Sequence, residues 1–519
     1  MTPCPNYAHE SQHQRLLDLP HPAQEMRRET PHLPRVCRPH HCLPRLRPKP
    51  KWIDNQWELQ AELSRIKKTV NSNVRQKKKL QAWKASQARP SERQNDPRQE
   101  GEDGYPASPD APTTPEMAFR EAQLLVHYLD YIFPLQYPYY KDEPSLGGRG
   151  WLLWLLMKRG PLHQAVLTLS ALHHHTQSAG APGNRESELI GYHTNALQQL
   201  RQVLQDCELD KFAESRQQMV EFLACGSALI SFELFRGGLD NWRPHLDALT
   251  SVVNKILVPH PSTGTRESGD GVDKAQPFLV TKVLWLDILA STATGKAPQT
   301  RYQRWLQLHQ IDMSRLMGCR NWVMQAVGDI STISSRKTRS GFSKSDELQL
   351  KALEQVLDEG IERMNLGGVR FEFPVRVSLT LLTTREQEDR QALVYAITMV
   401  FATAALVQIE TMRNAPSPGM RLYSRVARVV DAMEGLPAGV TFRGLAWPVA
   451  TVGAVAASDQ QSFFERAMRD VLATSGSEFT NCGTVLDVLQ RCWQHRRESG
   501  SVWTWQDGMS AMGICALLL

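Results

Sequence analysis

Residues 394–409 read VYAITMVFATAALVQI, 16 residues that include two Thr and one Gln and that stop at Glu410. A membrane-spanning helix needs roughly 18–20 apolar residues, so this run by itself falls short of a span. A second apolar stretch, Leu445–Ala457, is shorter still and contains Pro448. Both are read as helices buried in a large protein core, and no membrane partner is expected.

Working outward, helical segments are predicted over 117–132, 149–176, 184–206, 213–235, 241–257, 276–291, 299–334, 345–365, 386–413, 420–434, 445–473, 482–494 and 503–519. Their apolar residues recur at helical spacing or fill whole segments. The gaps carry Gly and Pro, as in Gly180–Gly183, Pro259–Gly271 and Pro416–Gly419. Alternation of the strand type is almost missing; Val369–Leu379 is the best strand candidate. Residues 116–519 therefore predict one all-α domain with Trp151, Trp242, Trp285 and Trp447 largely buried. About 400 residues suffice for a substantial core.

The composition fits this reading. Of 519 residues, 41% are hydrophobic and 22% charged, which excludes a wholly disordered or collagen-like chain. The nine Cys have no regular framework, which points to a reducing compartment. The N-terminus lacks the apolar region of a secretory signal. The net charge of +6 is uneven: residues 1–100 hold 20 Lys and Arg against 10 Asp and Glu, and the rest hold 40 against 44. A basic head on a slightly acidic body suits polyanion binding.

The head divides in three. Residues 1–46, rich in Pro, His and Arg, are expected to be disordered. Residues 47–89 contain a basic helix. Within it Leu59, Leu63, Ile66, Val70, Asn73, Lys77 and Leu80 make a heptad-like seam, which allows a homodimer through 59–80 or a solvated helix with no partner. From Arg65 to Arg89 there are nine Lys and Arg and no acidic residue. The residues expected to meet phosphates or a nuclear import receptor are Lys49, Lys51, Lys67, Lys68, Arg75, Lys77, Lys78 and Lys79; the plain alternative is a solvated charged face. Residues 90–115 are an acidic, Pro- and Ser-rich linker.

Enzyme signatures are missing. No phosphate loop ends in Lys-Ser/Thr, and there is no nucleotide-binding G-x-G-x-x-G or G-x-S-x-G elbow. Gly147-Gly148-Arg149-Gly150 reads as a turn opening a helix. His173-His174-His175 point about 100° apart on a helix and cannot converge on one ion. Cys37 and Cys42 flank His40 and His41 without the four well-spaced ligands of a structural zinc site. No catalytic or metal residue is therefore assigned, and no cofactor is expected in this chain.

Arg47-Pro48-Lys49-Pro50-Lys51-Trp52-Ile53-Asp54 resembles the G-P-K-P-x-W-M/I-D linker of one group of fungal zinc binuclear cluster transcription factors. Further marks follow in the same order. Arg149-Gly150-Trp151-Leu152-Leu153, leading into Ala165–His173, is similar to the group's R-G-W-L-L and A-x-L-x-L-S-A-x-H. Trp242–Leu249 resembles W-x-x-H-L-x-A-A, with Leu249 departing. Trp285–Ser291 resembles W-x-D-I-L-A-S, and Met317–Trp322 resembles M-G-C-x-N-W. Leu445-Ala446-Trp447-Pro448 with Gly453 and Ala456 resembles L-x-W-P-x-x-x-x-G-x-x-A, and the Trp503–Asp507 run also fits.

The resemblance implies an all-α regulatory domain, a nuclear location, and a DNA-binding head in which six cysteines hold two zinc ions. None of those cysteines can be carried over: only Cys37 and Cys42 lie in the right region, at the wrong spacing. Either the gene has lost its zinc head or residues 1–46 come from a mis-spliced or frame-shifted gene model, and the Pro/Arg/His/Leu wording of 31–46, breaking off where the resemblance begins at Arg47, favours the second. The expected function is a nuclear transcriptional regulator with non-specific DNA contact; the alternative is a regulator that acts only through protein contacts of its helical domain.

Overall fold

The run at 394–409 is the middle of a 31-residue helix, Thr384–Asn414. In a computed structural model of the chain, the described residues are 115–142, 147–177, 184–206, 215–256, 271–307, 311–340, 342–366, 384–414, 419–475 and 480–519. The expected disordered head, the basic helix, the 90–115 linker up to residue 114 and the strand candidate Val369–Leu379 lie outside them. Among the described residues there is no strand, and the all-α class holds.

In chain order the helices begin with α1 (Pro115–His127), which runs through a π-helical turn, Tyr128–Ile132, into α2 (Phe133–Gln136). Then come α3 (Gly150–Met157), α4 (Pro161–Gln177), α5 (Asn184–Asp206), α6 (Arg216–Phe235) and α7 (Arg243–Val253). The middle holds α8 (Gly271–Thr294), α9 (Tyr302–Leu306), α10 (Met313–Met317), α11 (Asn321–Ser340), α12 (Lys344–Leu366) and α13 (Thr384–Asn414). The last are α14 (Met420–Glu434), α15 (Ala446–Gly453), α16 (Gln461–Ser475), α17 (Cys482–Ser499) and α18 (Trp505–Ala511).

Helix α6 shows why the fold closes as it does. Every residue from Phe222 to Phe235 is buried, as expected of a helix that is apolar all round. It packs against α4, α7 and α8. Helix α8 passes the core on to α11, α11 to α13, and α13 to α12, α14 and α15. Trp151, Trp242, Trp285 and Trp447 are 7%, 1%, 4% and 1% exposed, and all four serve this core.

Four predicted helices are interrupted. The segment 445–473 splits into α15 and α16, with non-helical backbone at 454–460. The segment 149–176 breaks between α3 and α4, where Arg159 takes a left-handed φ of 53° and Pro161 opens the next helix. Proline suits a first helical position because its missing N–H has no partner there anyway. The segment 299–334 becomes α9, α10 and α11. Asp312 caps α10 by accepting from Ser314 N, and Gly318 ends it at φ 70°, a conformation that favours glycine. The segment 503–519 is helical only through α18; Ala516–Leu519 are buried in irregular backbone, with Leu517 N donating to Gly238 O at 2.7 Å.

Against the expectation from its short apolar run, 394–409 belongs to a helix that polar ends extend to Thr384 and Asn414. Glu386–Arg413, Arg216–Phe235 and Gly271–Thr294 are each long and apolar enough to cross a membrane by length and composition. Their most apolar windows are 72%, 89% and 78% buried inside the protein, so neighbouring helices already cover them.

Candidate functional site

The basic residues assigned from sequence, Lys49, Lys51, Lys67, Lys68, Arg75, Lys77, Lys78 and Lys79, lie outside the described residues, as do Cys37 and Cys42. The donor set of residues 1–50 does not fit a six-cysteine cluster, since only three cysteines (Cys4, Cys37 and Cys42) occur there. The helical domain is where side chains can be placed.

Most of the motif residues hold backbone in place. Arg149 donates to Leu129 O, pairs with Asp142 at 2.8 Å and lies over the Phe133 ring. Asp287, 2% exposed, accepts from Gln299 N at 3.0 Å and from Thr300 N and Oγ1 at 2.7 and 2.6 Å. It thereby fastens the turn after α8. Burial pushes its carboxyl up, against the pull of these hydrogen bonds. Asn321 donates to Leu306 O and Ile311 O and accepts from Met313 N, tying α9, α10 and α11 together. Trp242 Nε1 donates to Cys515 O at 3.4 Å, and the Trp447 ring stacks on Phe401 with centroids 5.6 Å apart.

The histidine triplet gains a partner that the sequence did not suggest. His173 Nδ1 lies 2.9 Å from His127 Nε2, and the His127 ring also meets His174 at 4.3 Å. Burial, helped by the other imidazoles, pushes His127 and His173 down to about 4, so both are neutral at physiological pH. Among the described residues no group of three or more His, Cys, Asp and Glu is placed to hold a metal ion. The five described cysteines, Cys225, Cys319, Cys482, Cys492 and Cys515, are free thiols.

One cavity of about 40 Å³ lies where distant parts of the chain converge. Its wall takes Leu135 and Gln136 from α2, Ser231 and Phe235 from α6, Lys282 and Trp285 from α8, and Met317 from α10. Arg443 and Gly444 of the 3-10 turn Phe442–Leu445, then Thr480, Asn481 and Leu519, complete it. No Asp or Glu is among its lining residues. Lys282 and Arg443 are only 2% and 5% exposed. Burial pushes Lys282 down to about 7 and Arg443 down to about 10. Sequence reasoning missed both. The signal was there for Lys282: it is the one cation in the mostly apolar stretch between Pro277 and Ala290, whose other polar residues are Thr281 and Asp287.

Comparison with known proteins places this architecture. The sequence profile of the fungal specific transcription factor domain matches residues 123–518. The trichothecene biosynthesis transcription regulator TRI10 of Trichoderma arundinaceum is 27% identical over 434 residues, covering 77% of this chain and 98% of that protein. The TRI10 of Fusarium sporotrichioides is 26% identical, with 77% and 98% covered. The pestheic acid cluster transcriptional regulator 3 of Pestalotiopsis fici is 26% identical over 74% of this chain and 72% of its own. No solved structure matches the chain. Because the profile spans the helical domain from α1 to its last buried leucines, the chain belongs to the fungal specific transcription factor domain family.

Proposed function

We propose that this transcriptional regulator works in the nucleus and controls a set of biosynthetic genes, through binding rather than catalysis. The observation that carries the reading is the pattern of coverage. Two relatives named as transcription regulators of one biosynthetic route are covered over 98% of their length by 77% of this chain. What is shared with a working regulator is thus about as large as the helical domain matched at 123–518. Deleting the gene and measuring all transcripts tests it: a coherent change in one group of biosynthetic genes is expected, and an unaltered profile removes the proposal.

The basic run adds DNA contact of the phosphate type in this reading. Lys and Arg on phosphates give affinity without reading bases, and log K falls with log salt at about −0.9 per phosphate neutralised on duplex DNA. Replacing Lys77, Lys78 and Lys79 with Ala should reduce that slope by up to about three units on every duplex sequence. Nuclear accumulation should fall in the same variant. The second reading, regulation through protein contacts of the helical domain alone, is favoured by the near-complete coverage of the TRI10 proteins. It predicts normal gene control in the triple variant once nuclear import is restored by an appended signal.

A further inference from the structure

Lys282 is 98% buried, and among the described residues its partners are two aromatic rings: its Nζ lies 4.9 Å from the Tyr137 ring centroid and 4.7 Å from that of Trp285. Among the described residues no hydrogen bond or ion pair reaches Nζ. Ring faces attract an ammonium, but they neither neutralise its charge nor accept its N–H groups as a carboxylate does. A buried charge without a counter-charge is costly, and proteins normally pair it or neutralise it. The same cavity wall shows a second unfinished donor. Trp285, 4% exposed, has its indole N–H buried with no hydrogen-bond acceptor among the described residues.

The rest of the wall fits a small anion. A second cation, Arg443, lines the cavity, and Gln136, Ser231, Thr480 and Asn481 bring further hydrogen-bonding groups. Several of these are oriented by the fold. Gln136 Oε1 accepts from Tyr128 Oη at 2.9 Å and Asn481 Nδ2 donates one of its two N–H groups to Leu517 O at 2.9 Å, so both amides retain donor capacity for an anion, whereas the Ser231 hydroxyl spends its proton on Ser227 O at 3.0 Å. No acidic side chain of the wall would repel an anion. A volume of about 40 Å³ holds only a few atoms; one water alone needs about 10–15 Å³ on the same measure.

We propose that this cavity is a binding site for a small carboxylate, whose oxygens face the Lys282 ammonium and whose short apolar part meets Leu135, Leu234 and Met317. The size admits an acetate-like group, either a free small acid or the carboxylate end of a larger molecule whose remainder stays outside. The site joins α2, α6, α8, α10 and the 442–445 turn, so its occupant would tie the two ends of the helical domain to its middle.

The test uses the full chain and follows its thermal unfolding at constant ionic strength. Sodium acetate should raise the Tm saturably, while acetamide, which has the same shape without the charge, and sodium chloride should not. The rise should vanish in Lys282→Met. Longer carboxylates that act at lower concentration than acetate would assign the site to the end group of a larger molecule; acetate acting as well as they do would assign it to a free small acid. Equal effects of acetate and chloride, or an acetate shift that persists in Lys282→Met, would overturn the proposal. So would a response to inorganic phosphate without one to acetate. Should Lys282→Met fail to fold, calorimetric titration of the unaltered chain with acetate and with acetamide decides alone, since indistinguishable heats rule the site out.

Discussion

Glu354 and Lys282 are both buried charges, 7% and 2% exposed, yet the fold treats them in opposite ways. Glu354, on α12, is surrounded by arginines. Arg413 Nη1 donates to its Oε2 at 2.5 Å, and Arg421 and Arg425 both donate to its Oε1. Glu347 and Glu410 balance the excess, pairing with Arg413 at 2.9 Å and Arg421 at 3.7 Å, and Arg425 also donates to Leu406 O at 2.8 Å. The result is a closed ionic clamp that fastens α12 to α13 and α14. Lys282, on α8, has rings and a cavity instead. A clamp whose charges cancel inside the protein needs nothing further, whereas a cavity with excess positive charge is completed only from outside. The first arrangement is a structural joint, and the second is the site proposed above for a small carboxylate.

Breaking the clamp should have the largest effect. Glu354→Gln leaves three arginines facing a neutral amide, and breaking a buried pair from one side costs about 3–5 kcal/mol; the low end, about 3, is expected because Arg421 is exposed. Urea unfolding at neutral pH reads it. Burial alone would raise the Glu354 carboxyl, but the hydrogen bond from Arg413 and the charges of the three arginines overcome it and hold the group below its ordinary value. The folded state thus binds the proton less readily than the unfolded chain. Its contribution is present above the ordinary carboxylate value and is lost as pH falls through the depressed one. The gap between Glu354→Gln and the unaltered chain should therefore narrow in acid. A constant gap would mean that packing rather than charge holds the joint.

His193 offers a third treatment of a buried ionisable group, for it is kept neutral. It is 5% exposed and stacks on Phe232 at 4.5 Å. Burial first, then the charges of His245 and Arg236, push it down to about 3. Below about pH 6.5 the unfolded chain takes a proton that the folded one refuses, so stability falls as pH falls. Between pH 6.5 and 5 the loss from this one group should be about 2 kcal/mol, at 1.36 kcal/mol per unit. His127 and His173 add to the same limb. His193→Phe should make the slope of unfolding midpoint against pH shallower, and an unchanged slope would place the acid sensitivity elsewhere.

The smallest effect is expected at Lys282, and that smallness sharpens the contrast. Lys282→Met keeps the apolar stem and removes a charge that the interior does not neutralise. Stability at pH 7 should stay within about 1 kcal/mol or rise, as replacing buried ions with apolar groups of similar volume often does. Since burial pushes Lys282 down to about 7, the unfolded chain binds the extra proton between that value and the ordinary lysine range. The unaltered chain should therefore gain on the variant as pH rises from 7 toward 10.5. A loss as large as that of Glu354→Gln would make Lys282 a structural residue after all.

The helical segments were legible because burial leaves a periodic trace: 184–206 and 420–434 match α5 and α14 at both ends. The break at Arg159 had a local mark, the Gly160-Pro161 step that follows it, whereas at Gly318 apolar residues continue on both sides and the left-handed backbone angle marks the interruption. Leucines 517–519 are as apolar as a buried helix end, yet the backbone of Leu517 pairs with Gly238 and Asn481 instead. Tryptophan marked the core well though not uniformly: seven of the ten described are buried, while Trp154, Trp322 and Trp503 pack only partly against the core.

Sequence by itself determined the helical class, the burial of Trp151, Trp242, Trp285 and Trp447, the polar character of the ends of α13, and the family through its ordered motifs. Each depends on residues near one another in the chain, where spacing is the physics. Tertiary structure alone decided which charges are answered. Glu354 meets Arg425 across 71 residues, and the cavity wall runs from Leu135 to Leu519. No local pattern encodes such meetings, because desolvation and pairing depend on what the fold brings alongside, not on what the chain places next.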